Sequence, residues 1–301
     1  MVTEKCLTMP KFAAPAQQAR RVMQQLQGHT LRSVGTVRNY EQALTRVAEY
    51  TRDQRINGLR SLTPEQAVRY LEQRGQTVGQ KTLDMERQAL QAMMRHLTGQ
   101  LSPTERLPVV QAATPQKRVG RAYTPQQAHQ IAQAQRPQYA LATQIAYKAG
   151  LRAHELLTLR PLGEQPPDVR PALSSKWEGR EGLSYTVVGK GGLIREVRIP
   201  FDLAQQLEQQ RLEAPRTITD RGIHYPQHYA LAGGQRWSNA FSAAAKRVLG
   251  WSKGAHGLRH SYAQERLIEL QRQGLRWEDA LETISQEMGH FRPQITEVYL
   301  R

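Results

Sequence analysis

Residues 255–260 read Ala-His-Gly-Leu-Arg-His, residues 288–290 read Met-Gly-His, and Tyr299 follows just before Leu300 and Arg301. His and Arg are the side chains that bind a phosphate and move its protons. His256 and Arg259 are three apart, so on a helix they share one face. Tyr299 comes nine residues after His290, across a Pro293 that suits the first turn of a new helix. The spacing predicts that these residues converge on one phosphodiester, with the Tyr299 phenol as the attacking oxygen.

Working back from that stretch, two further groups fit the same chemistry. Arg152 and Glu155 are three apart, and a helix expected over Arg152–Leu159 places both on one face. Taken alone the pair reads as an ordinary surface ion pair. Beside a phosphate, Glu155 would instead orient the Arg152 guanidinium so that its fork meets two oxygens. Tyr185–Val188 and Ile194–Ile199 have strand character, and Gly189-Lys190-Gly191-Gly192 between them predicts a hairpin with Lys190 at its tip. A P-loop would need an earlier Gly at fixed spacing and a Ser or Thr after the Lys, and both are missing. His256 and His260 are four apart, a spacing zinc uses, but Gly257 stands where the zinc-protease pattern has Glu, and no Cys or carboxylate cluster adds ligands. Neither a metal nor a cofactor is expected.

The chain has 301 residues and a formal net charge of +16, with a pI of about 10.3. That length suffices for two domains, and the basic excess predicts a polyanionic partner, most simply nucleic acid. An anionic membrane surface is the rival, but there is no apolar run of spanning length, no signal-peptide core and no convincing basic amphipathic helix. The single cysteine, Cys6, excludes an intrachain disulfide and fits a reduced, cytoplasmic setting.

Residues 1–15, with Pro10 and Pro15, read as a mobile arm. Residues 16–101 read as a helical, DNA-contacting domain. Its helices are expected at Gln17–Leu26 (ended by Gly28), after a Ser33 or Thr36 cap, from Thr63-Pro64-Glu65-Gln66 onward, and at Val78–Leu97 before Gly99. Residues 102–122 read as a basic linker with Pro103, Pro108, Pro115, Lys117, Arg118 and Arg121. In the last domain, 123–301, Thr124-Pro125-Gln126-Gln127 repeats the helix-start chemistry. Further helices are expected at Tyr139–Lys148, Phe201–Leu212, Ser238–Leu249, His256–Leu270 and Trp277–Met288. Pro161–Glu181 reads as irregular and Pro215–Gly234 as loop-rich.

Gly150-Leu151-Arg152 with Glu155-Leu156, then Gly189-Lys190-Gly191, His256-Gly257-Leu258-Arg259-His260, Met288-Gly289-His290 and Tyr299 together resemble the tyrosine recombinases, the phage-type integrases. The resemblance is specific from Tyr123 onward and looser over Ser33–Leu101, which is similar to the family's core-binding domain. It implies a mainly α protein with a small antiparallel sheet (α+β), whose helical core-binding domain and catalytic domain form a C-shaped clamp on double-stranded DNA. It implies that Tyr299 attacks a phosphodiester to give a 3′-phosphotyrosyl link, and that Arg152 and Arg259 hold the phosphate. Lys190 would protonate the leaving 5′-oxygen, His256 would assist proton transfer, and His290 would donate to the phosphate. It further implies site-specific recombination by dimers on each site and tetramers in the synapse, with accessory DNA-bending proteins as a further partner class. The long Pro-rich stretch after Arg160 departs from the family's pattern. With only two residues after Tyr299, the C-terminal segment that many relatives pass to a neighbour is expected to be absent. A topoisomerase of related mechanism and a non-cutting DNA-binding regulator are the alternatives.

Overall fold

The computed structural model describes residues 13–27, 31, 34–115 and 119–301; Cys6, Gly28, Ser33, Lys117, Arg118 and most of the expected arm lie outside them. The chain divides into two compact units, Met1–Lys117 and Arg118–Arg301. Among the described residues no helix is long and apolar enough to cross a membrane.

The first unit packs α1 (Pro15–Leu26), α2 (Val34–Asp53), α3 (Pro64–Gly75) and α4 (Gln80–Met93) around Leu26, Leu44, Val47, Leu71 and Leu90, all buried. Thr36 lies within α2 rather than capping it. Helix α3 starts as its sequence dictates. The Thr63 hydroxyl accepts from the Gln66 N–H at 3.3 Å, and the Gln66 side chain accepts from the Thr63 N–H at 3.0 Å. Thr63→Ala removes this reciprocal cap and should cost about 1 kcal/mol, read as a lower urea midpoint for this unit in the intact chain. Helix α4 gives way earlier than its periodicity suggests, to a wider π turn over Met94–Thr98 that closes at Gly99. Inside, the carboxylate of buried Glu86 accepts from the Tyr70 hydroxyl at 2.8 Å and from Arg74, tying α3 to α4.

The stretch expected to be a linker runs along this unit for part of its length. Leu107 is buried, its N–H donates to Gln91 and its carbonyl accepts from Arg87. The Gln80 side chain accepts from the Ala112 N–H and donates to the Val110 carbonyl. Helix side chains thus satisfy a backbone that has no ladder of its own.

The second unit begins with α5 (Pro125–Gln133), opened by the capping box of Thr124 and Gln127, and α6 (Pro137–Ala149). A three-stranded antiparallel sheet follows in the order β1 (Arg160–Pro161), β2 (Leu183–Val188), β3 (Ile194–Ile199), with Tyr185 opposite Val197. Tyr185, Val187, Val197 and Ile199 are buried in one core with Ile145 and Ala146 of α6. Next come α7 (Phe201–Glu208), the hairpin β4 (Arg211–Asp220) and β5 (Ile223–Tyr229), α8 (Gly234–Leu249), α9 (Gly257–Arg272), α10 (Trp277–Glu287), α11 (Pro293–Glu297) and a single 3₁₀ turn, Val298–Leu300.

Four expectations are corrected. Arg152–Leu159 is not an α-helix; only a 3₁₀ turn forms, over Glu155–Leu157. The Glu155 carboxylate accepts from the Arg152 N–H at 2.8 Å, closing the turn between the two residues. Helix α7 ends before Leu212, and the expected loop after Pro215 belongs to the β4–β5 hairpin, which forms a second small sheet among the described residues. Its residues are mostly exposed and lack apolar alternation, and its turn uses Arg221 (φ 51°) and Gly222 (φ 80°), a disguised form of the positive-φ pair such turns require. Finally, α8 starts four residues before Ser238 because Asp220, from β4, accepts from the Gln235 N–H at 2.8 Å and supplies the cap.

Candidate active site

Helix α9 and the segments around it bring most of the singled-out residues together. His256 is the N-cap residue of α9, and Arg259, His260 and Gln264 follow on its first turns. The Gln264 amide donates to the carbonyls of Tyr299 at 3.1 Å and Arg301 at 2.9 Å, holding the C-terminal turn against the helix. The Tyr299 ring lies among three imidazoles. Centroid distances are 4.7 Å to His260, 5.2 Å to His290 and 5.4 Å to His256. The Arg259 guanidinium sits 5.5 Å from the same ring.

Arg259 is fully buried. One terminal nitrogen donates to the Gly150 carbonyl, the other to the Met288 carbonyl at 2.8 Å and to His290 Nε2 at 3.0 Å. Its Nε is buried with no partner among the described residues. Two glycines let the backbone come this close. Gly150 has φ 60°, and a Cβ there would meet the Tyr262 ring at 2.8 Å; Gly289 has φ 69°, and a Cβ would meet Arg195 Cδ at 2.5 Å. Because a guanidinium can only donate, His290 Nε2 accepts, and its proton sits on Nδ1, facing the Thr296 hydroxyl at 2.8 Å.

Glu155 is buried at the base of the site. Its carboxylate accepts from Arg152 at 2.7 Å and from Arg195 at 2.8 Å. Burial alone would push this carboxyl up, but Arg195, Arg259 and Arg152 outweigh it and hold it well below the usual carboxylate range. Burial, with Arg152 and Arg195 against Glu155, lowers Arg259 to about 10, so it remains cationic at neutral pH. Lys190 sits in the exposed β2–β3 turn and makes no hydrogen bond or ion pair with these groups among the described residues. The hairpin's base does reach the site: a Cβ on Gly189 would lie 3.4 Å from the Glu155 carboxylate.

The imidazoles are held neutral. Burial and then Arg121 and Arg259 lower His260 to about 4, with the Tyr299 backbone acting the other way. Burial, Arg259, Arg152 and Arg195 lower His290 to about 3, against Glu155. His256, exposed as a whole residue, is shifted the same way by partial burial of its ring and by Arg259, His260 and Arg152. A neutral imidazole beside a phenol can accept its proton. The shifts also bear on stability. Unfolded, an imidazole takes up its proton near pH 6.5; folded, His260 and His290 resist until about 4 and 3. Their contribution is therefore whole above the unfolded value and is lost as pH falls from there toward 4 and then 3. The melting temperature of the DNA-free chain should drop over that window, and His260→Asn should make the drop shallower.

Two participants escape sequence reading. In the sequence His260 stands out only as the second member of a His-x-x-x-His pair, yet its ring lies nearer Tyr299 than that of His256; its place one helical turn after His256 is the available signal. Arg195 is one of two arginines on β3, and only the fold tells it from Arg198.

Residues 22–100 match the family model described as phage integrase, N-terminal SAM-like domain. No curated protein sequence matches the chain. Among solved structures, it is similar to the XerH site-specific recombinase bound to palindromic difH substrate in a post-cleavage complex, at 13% identity over 96% of this chain and 91% of that one, TM-score 0.58. It is similar to a lambda integrase dimer bound to a COC′ core site, at 16% identity over 95% and 94%, TM-score 0.58. A lambda integrase tetramer bound to a Holliday junction aligns at 17% identity over 95% and 76%, TM-score 0.57. Residues 22–100 are therefore similar to the phage-integrase N-terminal SAM-like domain, and the chain as a whole has the fold of the tyrosine recombinases.

Proposed function

We propose that the protein is a site-specific DNA recombinase that cuts and rejoins strands through Tyr299. One observation carries this reading: a half-buried phenol lying against three neutral imidazoles and a fully buried arginine, within the tyrosine-recombinase fold. A bond forms from the Tyr299 oxygen to phosphorus, the bond from phosphorus to the 5′-oxygen breaks, and a 3′-phosphotyrosyl link remains. The phenolic proton passes to His256. Lys190, carried inward on its glycine-flanked turn, gives a proton to the departing 5′-oxygen. Arg152, aligned by Glu155, and Arg259 receive the charge that builds on the non-bridging oxygens. The phosphate replaces His290 as an acceptor at Arg259, which frees the imidazole to turn a ring N–H toward it. Attack by a 5′-hydroxyl on the phosphotyrosine reverses the step and conserves the bond, so rejoining needs no nucleotide.

Double-stranded DNA is the partner, and a charge of +16 suits it. Relatives of this fold assemble on DNA as a dimer and as a tetramer, and we extend that assembly, and a cytoplasmic setting, to this chain. The test is incubation with a nicked duplex carrying the target site, so that the cut end diffuses away and the adduct is trapped. Covalent protein–DNA product supports the reading. Tight binding without any adduct supports a regulator that does not cut.

A further inference from the structure

The geometry points to Arg195 as a positioning residue that fixes the two sides of the active site to one another; this rests on the strand-cleavage reading above. Arg195 is the second residue of β3 and is almost fully buried. One terminal nitrogen donates to the Glu155 carboxylate at 2.8 Å, the other to the Glu287 carbonyl at 2.7 Å. Glu155 is the group that aligns Arg152. Glu287 ends α10 immediately before Met288 and His290, whose carbonyl and ring both contact Arg259. A single planar fork therefore connects the support of Arg152 to the turn that places Arg259 and His290.

Both ends of this tie are themselves held. Glu155 has no exposure and cannot shed its charge to water, so it needs the cation. The Glu287 carboxylate, equally buried, takes the Arg266 guanidinium through Nη2 at 2.9 Å, the Tyr262 hydroxyl at 2.7 Å and the Trp177 N–H at 3.1 Å. That last donor belongs to the Pro-rich stretch after Arg160, which also bonds α10 through Leu173 to Gln286 and Ser175 to Thr283. The departure from the family's spacing is thus a brace on the end of α10, and Arg195 transmits that brace to Glu155. The positive φ of Gly289 is what lets the Arg195 stem pass.

The test separates binding from cleavage. Arg195→Gln, Arg195→Lys and the double variant Glu155→Gln/Arg195→Gln are compared with wild type on the trapping duplex under single-turnover conditions, with melting temperature measured for each. Arg195→Gln should bind the duplex with wild-type affinity while its cleavage rate falls on the order of 10²-fold, as expected when reacting groups shift by about an ångström. Arg195→Lys should recover part of the rate. The double variant removes the uncompensated buried charge, so it should regain melting temperature without regaining rate; it carries the test if Arg195→Gln does not fold. Wild-type cleavage by any folded variant lacking the guanidinium overturns the assignment, and so does a rate loss no larger than the loss of affinity. Failure of wild type itself to form an adduct on a duplex it binds instead removes the strand-cleavage reading, and this assignment with it.

Discussion

Tyr299→Phe should bind the target duplex as wild type does and yield no covalent adduct at any enzyme concentration. The substitution deletes one oxygen and leaves the ring, so the contacts to His256, His260 and His290 and the Gln264 bond to the Tyr299 carbonyl all persist. No hydrogen-bonded partner within the protein loses its pair, because the hydroxyl donates to no group among the described residues. Folding is therefore preserved and the loss falls on chemistry alone. Gel mobility of the non-covalent complex, with denaturing gels for the adduct, separates the two. An adduct formed by Tyr299→Phe would move the nucleophile to another residue. A variant that no longer binds would mean that the phenol serves recognition instead.

Arg259→Lys should slow cleavage by about 10²–10³-fold, the cost of removing one preorganised donor from a site where charge develops. The charge survives the change, so a purely Coulombic role predicts almost no effect. The geometry argues otherwise. Arg259 fixes the carbonyls of Gly150 and Met288 and the ring of His290 with separate donors, and an ammonium on a flexible stem cannot reach all three while also meeting phosphate oxygens in pairs. Some stability should go as well, since a buried carbonyl left without a donor costs about 1–3 kcal/mol. Rates are therefore best compared at a temperature where both proteins are fully folded. Equal single-turnover rates for the two would assign Arg259 to structure rather than to phosphate.

Much of the α-helical framework was legible because its signals are local. The capping boxes at Thr63 and Thr124 satisfy their own first-turn N–H groups, so they act wherever the chain goes. Gly150 and Gly289 stop α6 and α10 through their own positive φ. The β4–β5 hairpin is not legible for the converse reason. Its strands expose most of their side chains, leave little burial pattern to read, and turn on Arg221 rather than on Asn or Asp. The start of α8 differs from the local signal at Ser238 because Asp220, distant in sequence, provides its cap.

The candidate site divides the same way. Sequence alone determined the residue types and their order, and helix periodicity puts His256 and Arg259 on one face; that His290 and Tyr299 join them is an expectation carried by the resemblance to the tyrosine recombinases. Only tertiary structure decided which groups support them. Arg195 is one arginine among many until β3 carries it between Glu155 and the Glu287 carbonyl, and His260 is a neighbour of Arg259 until the C-terminal turn lays Tyr299 across it. Periodicity reports which way a side chain faces on its own element. What it meets there depends on long-range packing, and burial among charges then sets its protonation.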